Sequence, residues 1–286
     1  MSAIPEGKVY LVGAGPGDPE LLTLKAYALL QRADVVLHDD LVSAAIVSLA
    51  GPRAKVLNVG KRCGAKGITQ TEINFLMIEH ARLGREVVRL KSGDPAVFGR
   101  LAEETDALAG ANIAFEIVPG ITAALAATAS LGVSLTDRRK TARIVIVSGH
   151  RARASEPRKK NDWLSLAHED ATLIVYMPGR NLTALRIELL EAGLSAETPA
   201  AIVSRVTTPQ QREWLTTLGK LDSLPAVESP SLLLIGQQLD CARASVSAGN
   251  RAPAFEGADW QSLLTLVESE IAPENSKIHF ERNIAR

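Results

Sequence analysis

The stretch Val87–Gly99, VVRLKSGDPAVFG, decides the reading of the fold. Val87, Val88 and Leu90 put β-branched and apolar residues close together, as the end of a buried strand does. Ser92-Gly93-Asp94-Pro95 then stops it. Gly93 permits a tight backbone approach, Asp94 bonds either its own main chain or a ligand hydroxyl, and Pro95 suits the first turn of a helix. From Ala96 the pattern is helical and runs to Leu108. A loop at the carboxyl end of a strand is where α/β sheets bind ligands, although an ordinary strand-to-helix turn has the same pattern. A second loop of this kind near the start, Gly13-Ala14-Gly15-Pro16-Gly17-Asp18, tips the balance toward a site.

Outward from these loops the chain alternates. Strands are expected at Lys8–Val12, Ala33–Leu37, Lys55–Val59 and Phe115–Val118. Helices are expected over Glu20–Arg32, Ser43–Leu49, Thr69–Leu83 (capped by Thr69 or Thr71) and the Ala-rich Ala123–Leu131. Such alternation implies a mostly parallel sheet with right-handed crossovers. Gly132–Thr141 lacks helical periodicity and reads as an extended linker. A second α/β unit follows, with strands at Arg143–Ser148, Ala171–Met177, Pro199–Ser204, Gln211–Thr217 and Ser231–Gly236, and a helix over Leu182–Ala192 stopped by Gly193. The strand Gln211–Thr217 reads as antiparallel, because the link from Ser204 is too short for a helical crossover. The organisation expected is therefore an N-terminal domain over 1–132, a linker over 133–142, a C-terminal domain over 143–240 and a tail over 241–286. In the tail, Cys241–Gly257 reads as flexible and Trp260–Ile271 as one amphipathic helix.

Bulk composition narrows the function classes. With 46% hydrophobic and 22% charged residues, the 286-residue chain reads as globular. Lys plus Arg equals Asp plus Glu, so no global field points to nucleic acid or a membrane surface. Cys63 and Cys241 are too few for a disulfide framework and lack metal-ligand spacing, and the loop histidines His38 and His150 have no partner spacing for a metal. The first residues carry no signal-peptide pattern. The most apolar run, Ile121–Leu135, is about 15 residues, short of the roughly 20 that cross a bilayer. A cytoplasmic enzyme or binding protein is expected, with no metal.

The loops restrict the chemistry further. In GAGPGD, Gly13 and Gly15 are followed by Asp18 rather than by a third glycine, and Pro16 and Pro19 stand where a phosphate-cradling helix needs free N–H groups. No Gly-Lys-Ser/Thr follows, so this is not a P-loop. Prolines and aspartates in place of amide donors suit a ligand that is a cation, or one carrying hydroxyls and an amine. A nicotinamide oxidoreductase and a noncatalytic carrier are the readings from other classes; the broken fingerprint speaks against the first.

GAGPGDPELLTLKA (Gly13–Ala26) and RLKSGDPAVFGR (Arg89–Arg100) resemble the signatures of the tetrapyrrole methylase family. The resemblance continues through ADVVLHDDLV, VGKR, VPGITAALAA, VSGH, LIVYMPG and TPAAIVSRVTTPQQRE, and spans nearly everything from Lys8 to Gly236. VGKR followed by Gln70, Glu72, Ile73 and Asn74 is most similar to the uroporphyrinogen-III C-methyltransferase branch. The resemblance implies a two-domain α/β fold, a mostly parallel N-terminal sheet and a mixed C-terminal sheet with the active-site cleft between them, usually as a homodimer. It implies S-adenosylmethionine as methyl donor and a tetrapyrrole substrate, methylated at C2 and C7 to precorrin-2 on the way to siroheme or cobalamin. Another methylase of this fold, acting on a precorrin, a diphthine precursor or ribosomal RNA, is the alternative; a neutral chain with no aromatic stacking platform speaks against RNA.

Carried over residue by residue, the resemblance places Pro16, Ser92, Gly93, Asp94, Val97, Thr122, Ala123, Met177 and Val206 at the cofactor, and Asp39 and Lys61 at the proton acceptor and donor. On chemistry alone, Asp39 either accepts the proton or fixes its loop as a cap. Lys61, beside Arg62, equally suits anchoring a substrate carboxylate. Arg138, Arg139 and Arg151 either bind further acidic arms or form a solvated face. Met177 is otherwise a core residue. The chain departs from the family pattern at Ser92 and Val206 (each for glycine), at Leu101, and at Thr136-Asp137-Arg138-Arg139 in place of Thr-His-Arg-Asp.

Overall fold

The computed structural model describes residues 7–60, 68–149, 163, 166, 168 and 170–242. The first sheet is built from β1 (Val9–Gly13), β2 (Val35–His38), β3 (Lys55–Asn58), β4 (Val87–Lys91) and β5 (Phe115–Val118), in the order β3-β2-β4-β1-β5 with every pairing parallel. β1 and β4 are buried along their whole length, as central parallel strands covered on both faces must be. Val88 and Leu90 pack with Tyr10 and Val12 against α1 (Leu24–Arg32) and α2 (Ala44–Val47). Val87 turns to the other face, among residues of α3 (Gln70–Arg82) and α4 (Leu101–Gly110).

The second sheet takes β6 (Arg143–Ser148), β7 (Ala171–Tyr176), β8 (Pro199–Ser204), β9 (Arg212–Thr217) and β10 (Ser231–Ile235) in the order β6-β7-β10-β8-β9. Only β6 and β7 are parallel; β9 is antiparallel to β8, as its short connection requires. Leu173 and Val175 of β7 face α6 (Leu182–Glu191), and Ile174 faces α5 (Ala123–Leu131). Thus α5, which follows the last strand of the first sheet, packs on the second. Both sheets belong to one contiguous unit of the chain.

Several local expectations change. The helix expected from Ala96 begins only at Leu101, because Phe98 and Arg100 adopt left-handed φ values of 53° and 56° that no helix tolerates. The helix expected over Glu20–Arg32 is split: Asp18 caps a 3₁₀ turn at Pro19–Leu21, and α1 starts afresh after its own cap, Thr23. Thr69, not Thr71, caps α3, in a capping box with Glu72. The segment read as an extended linker contains a tight turn, in which Lys140 and Thr141 both donate their N–H to the Asp137 carbonyl. The tail beyond Ala242, including the expected helix at Trp260–Ile271, lies outside the described residues.

At the amino end of the first sheet, Glu116 on β5 pairs with Lys25 and, at 2.6 Å, with Lys8. These two ammonium groups hold its carboxyl down to about 2. A lowered folded pKa contributes stability that is present above the unfolded value and is lost as pH falls through the folded one. Glu116→Gln is therefore expected to lower the melting temperature slightly at pH 7, and the gap to the parent should close between pH ~4.3 and pH ~2. Thermal unfolding followed across that range checks it; a gap that widens on acidification contradicts the assignment.

Candidate active site

The loops after β1, β4 and β5 start at one level, since Gly13 is in register with Lys91 and Val12 with Val118. They then touch through bare backbone. Ala14 donates its N–H to the Lys91 carbonyl at 2.7 Å, and Gly15 and Gly93 exchange N–H···O bonds of 3.1 and 2.7 Å. A Cβ on Gly13 would stand 2.6 Å from the Gly120 nitrogen, and one on Gly120 would stand 2.3 Å from the Gly93 carbonyl oxygen. Gly93 itself has φ +68°, so a side chain there would be strained as well. Asp94 clamps the crossing: Oδ1 accepts the Ala96 N–H at 2.8 Å and Oδ2 the Gly120 N–H at 3.0 Å. Of the two roles open to Asp94, the bond to main chain is made. Pro16, Ser92 and Val97 are half-buried in the same loops.

Loops of the second sheet reach the first. Thr207 Oγ1 accepts the Asp18 N–H at 3.1 Å, and a Cβ on Gly17 would lie 3.0 Å from the Thr208 methyl. The Tyr176 hydroxyl accepts the Ala124 N–H at 3.0 Å and is hydrogen-bonded to Thr122 Oγ1, while its ring lies 5.1 Å from that of Phe98. Met177 follows with φ 50° and 41% exposure, which removes the core reading of its side chain. Val206 does belong to the core, packed with Leu232 and Leu234; what it presents toward Gly17 is its carbonyl. Six non-glycine residues among those described have positive φ, and five of them (Phe98, Arg100, Met177, Arg205 and Thr207) sit in the loops after β4, β7 and β8. Such strain costs about 1–3 kcal/mol per residue and concentrates where a ligand is held.

Beneath these loops runs a buried row of charge. Arg89, 2% exposed on β4, gives Nε to Glu104 at 2.9 Å and Nη2 to Asp39 at 2.5 Å. Lys91, two residues on and so on the same face, gives Nζ to the other Glu104 oxygen at 2.7 Å. Burial pushes the Lys91 pKa down, and the neighbouring Arg89 adds to this; Glu104 opposes it. Charges alternate along Asp39, Arg89, Glu104 and Lys91, so the row is neutral as a whole. Asp39 is its partly exposed end, and it is not a cap: Ser43 caps α2. Sequence reading missed Arg89, Lys91 and Glu104, yet two cations alternating with apolar residues in a central strand were the available signal.

Of the arginines nominated for substrate arms, Arg139 is spoken for locally, in a bidentate pair with Asp137 at 3.0 and 2.8 Å; Arg138 beside it is exposed. Lys61, Arg62, His150 and Arg151 lie outside the described residues. Among the described residues no three His, Cys, Asp or Glu side chains gather as a metal site, and no helix is long and apolar enough to cross a membrane.

Residues 8–222 match the family model described as Tetrapyrrole (Corrin/Porphyrin) Methylases. The chain belongs to this family. A uroporphyrinogen-III C-methyltransferase of Pseudomonas aeruginosa is 45% identical over 234 residues, covering 81% of this chain and 94% of that protein. Siroheme synthase 2 of Aeromonas hydrophila is 46% identical over 232 residues; 81% of this chain aligns with 49% of that protein, so the chain spans about half the length of such relatives. Among solved structures, a Thermus thermophilus uroporphyrin-III C-methyltransferase in complex with S-adenosylhomocysteine superposes with TM-score 0.71 at 40% identity, over 82% of this chain and 99% of that one. The expected fold class holds: an α/β methylase with one parallel and one mixed five-stranded sheet.

Removing Arg89 alone takes one of its two cations from the fully buried Glu104 and the ion-pair partner from Asp39, leaving the buried row with excess negative charge. Arg89→Met should cost about 3–5 kcal/mol of unfolding free energy. The triple change Arg89→Met, Glu104→Gln and Lys91→Met should recover most of that loss, since no buried charge is left without a partner. Chemical denaturation of both variants reads the difference, and a triple variant weaker than the single one contradicts the account.

Proposed function

We propose that the chain methylates uroporphyrinogen III at C2 and C7 with S-adenosylmethionine, giving precorrin-2 for siroheme or cobalamin. The observation that carries this reading is the crossing of the three loops, met by Tyr176 and Thr207 of the second sheet. The likeness to the Pseudomonas aeruginosa methyltransferase over nearly its full length supports it. S-Adenosylmethionine supplies an electrophilic methyl group when bound, so catalysis is mainly a matter of positioning.

The residues present suit that donor. Gly93 presents bare backbone in the crossing, Ser92 and Thr122 offer hydroxyls, and Phe98 and Met177 present apolar surface, 45% and 41% exposed. Pro16, Ser92, Gly93, Val97, Thr122, Ala123 and Met177 hold the donor, Val206 contributes backbone, and Asp94 acts by fixing the loops. Asp39 takes the proton released from the methylated macrocycle; Arg89 holds Oδ1 and leaves Oδ2 for the proton. Lys61, Arg62, Arg138 and Arg151 meet the substrate's carboxylates, and Lys61 acts as proton donor. The chain acts as a homodimer. The edge strand β6 supports this, because it leaves Ile144 and Ile146 exposed at 43% and 41%.

Incubation with enzymatically generated uroporphyrinogen III and labelled donor should add two methyl groups to the product by mass. No mass gain with this substrate, but gain with a precorrin, would move the chain to another methylase of the fold. Asp39→Asn should lower kcat by about 100-fold or more and leave S-adenosylhomocysteine affinity unchanged. In calorimetry, Asp94→Ala should abolish binding of that thioether by releasing the Gly120 and Ala96 amides. Binding of NADH by the parent protein, with no binding of the thioether, would sink the whole reading.

A further inference from the structure

Thr122 has the extended backbone of a helix N-cap, with φ −70° and ψ 148°, yet its side chain makes no capping bond to α5. A cap threonine normally accepts an N–H from the first turn of its own helix. Here the Tyr176 hydroxyl, arriving from the end of β7, accepts the Ala124 N–H at 3.0 Å and takes Thr122 Oγ1 as its second partner. The helix is capped by another element. A phenol carries one proton and is a better donor than an alcohol, and burial pushes the Tyr176 pKa up, so the proton stays on. Either hydroxyl can supply the proton of this bond; with Tyr176 as the donor, the Thr122 hydroxyl keeps its own proton for a donor bond directed elsewhere. The same ring packs on Phe98 in the loop after β4, and the next residue is Met177.

We propose that Tyr176 is a positioning residue for the methyl-donor site: it orients the Thr122 hydroxyl toward the donor and locks the β4 loop and the start of α5 to the second sheet. This rests on the reading above, that these loops hold the donor, and nominates a side chain outside the set derived from the sequence. Tyr176→Phe keeps the ring against Phe98 and deletes only the hydroxyl. Thr122 is then free to turn back and cap its own helix, as threonines at this position do.

Calorimetry with S-adenosylhomocysteine, thermal unfolding, and steady-state kinetics on Tyr176→Phe, Thr122→Val, Thr122→Ser and the double variant Tyr176→Phe/Thr122→Val provide the test. Tyr176→Phe should weaken thioether affinity by about tenfold, the effect of one lost hydrogen bond, and raise KM for the methyl donor by the same factor with kcat within about twofold. Thr122→Val should do likewise, Thr122→Ser should restore parental affinity, and the double variant should be no weaker than either single one, since Tyr176 acts through Thr122. If Tyr176→Phe lowers the melting temperature but binds the thioether like the parent, or if the two losses add, Tyr176 is a structural cap and the inference fails. The Thr122 pair reads the same contact should Tyr176→Phe not fold. Failure of the parent protein to bind the thioether overturns the donor site itself, a result distinct from equal binding by parent and variant.

Discussion

The backbone crossing of Gly13, Gly93 and Gly120 is the constraint on which the rest of the site depends. A Cβ on Gly13 or Gly120 would come within 2.3–2.7 Å of another main chain, and Gly93 holds a φ of +68° that strains any side chain, so glycine at these positions lets the three loops meet. Asp94 then spans the crossing with both carboxylate oxygens, turning close approach into a fixed geometry. The contacting atoms are backbone, so side-chain changes alone do not easily re-aim them. Ser92 and Val97 inherit their positions from that frame.

A second constraint lies below it. A desolvated arginine, lysine and glutamate in a central sheet are each costly alone, by several kcal/mol per ion. The cost is offset because each finds its opposite charge within 2.9 Å. The row surfaces at Asp39 alone. The Asp39 carboxylate is thus oriented from underneath by the interior of the first sheet, while its neighbour Asp40 is bound laterally by Asn58.

The second sheet contributes by contact more than by chemistry of its own. Tyr176, Met177, Arg205 and Thr207 stand at the ends of β7 and β8, and three of them hold left-handed backbones that the surrounding bonds must sustain. Thr207 illustrates how: its N–H goes to Gln211 Oε1 at 2.6 Å while its hydroxyl takes the Asp18 N–H. Strained residues braced in this way keep the two sets of loops in register.

The sequence by itself determined the order of strands and helices, the parallel and mixed character of the two sheets, and the family. Period, capping residues and glycine-proline punctuation are local properties, and the loop motifs are contiguous. Even the misplaced start of α4 was a local matter, set by the left-handed backbones of Phe98 and Arg100, residue types that rarely adopt them. What only the tertiary structure decided is which partner each polar side chain takes. Asp39 read equally as a cap or a base until Arg89, fifty residues away, was seen on its oxygen. Met177 stood at the cofactor by resemblance and in the core without it until its exposure was known, and Tyr176 read as a strand residue until its hydroxyl was found on a helix of the other half. Hydrogen bonds and ion pairs are short-ranged in space and indifferent to separation along the chain, so only folding brings their partners together.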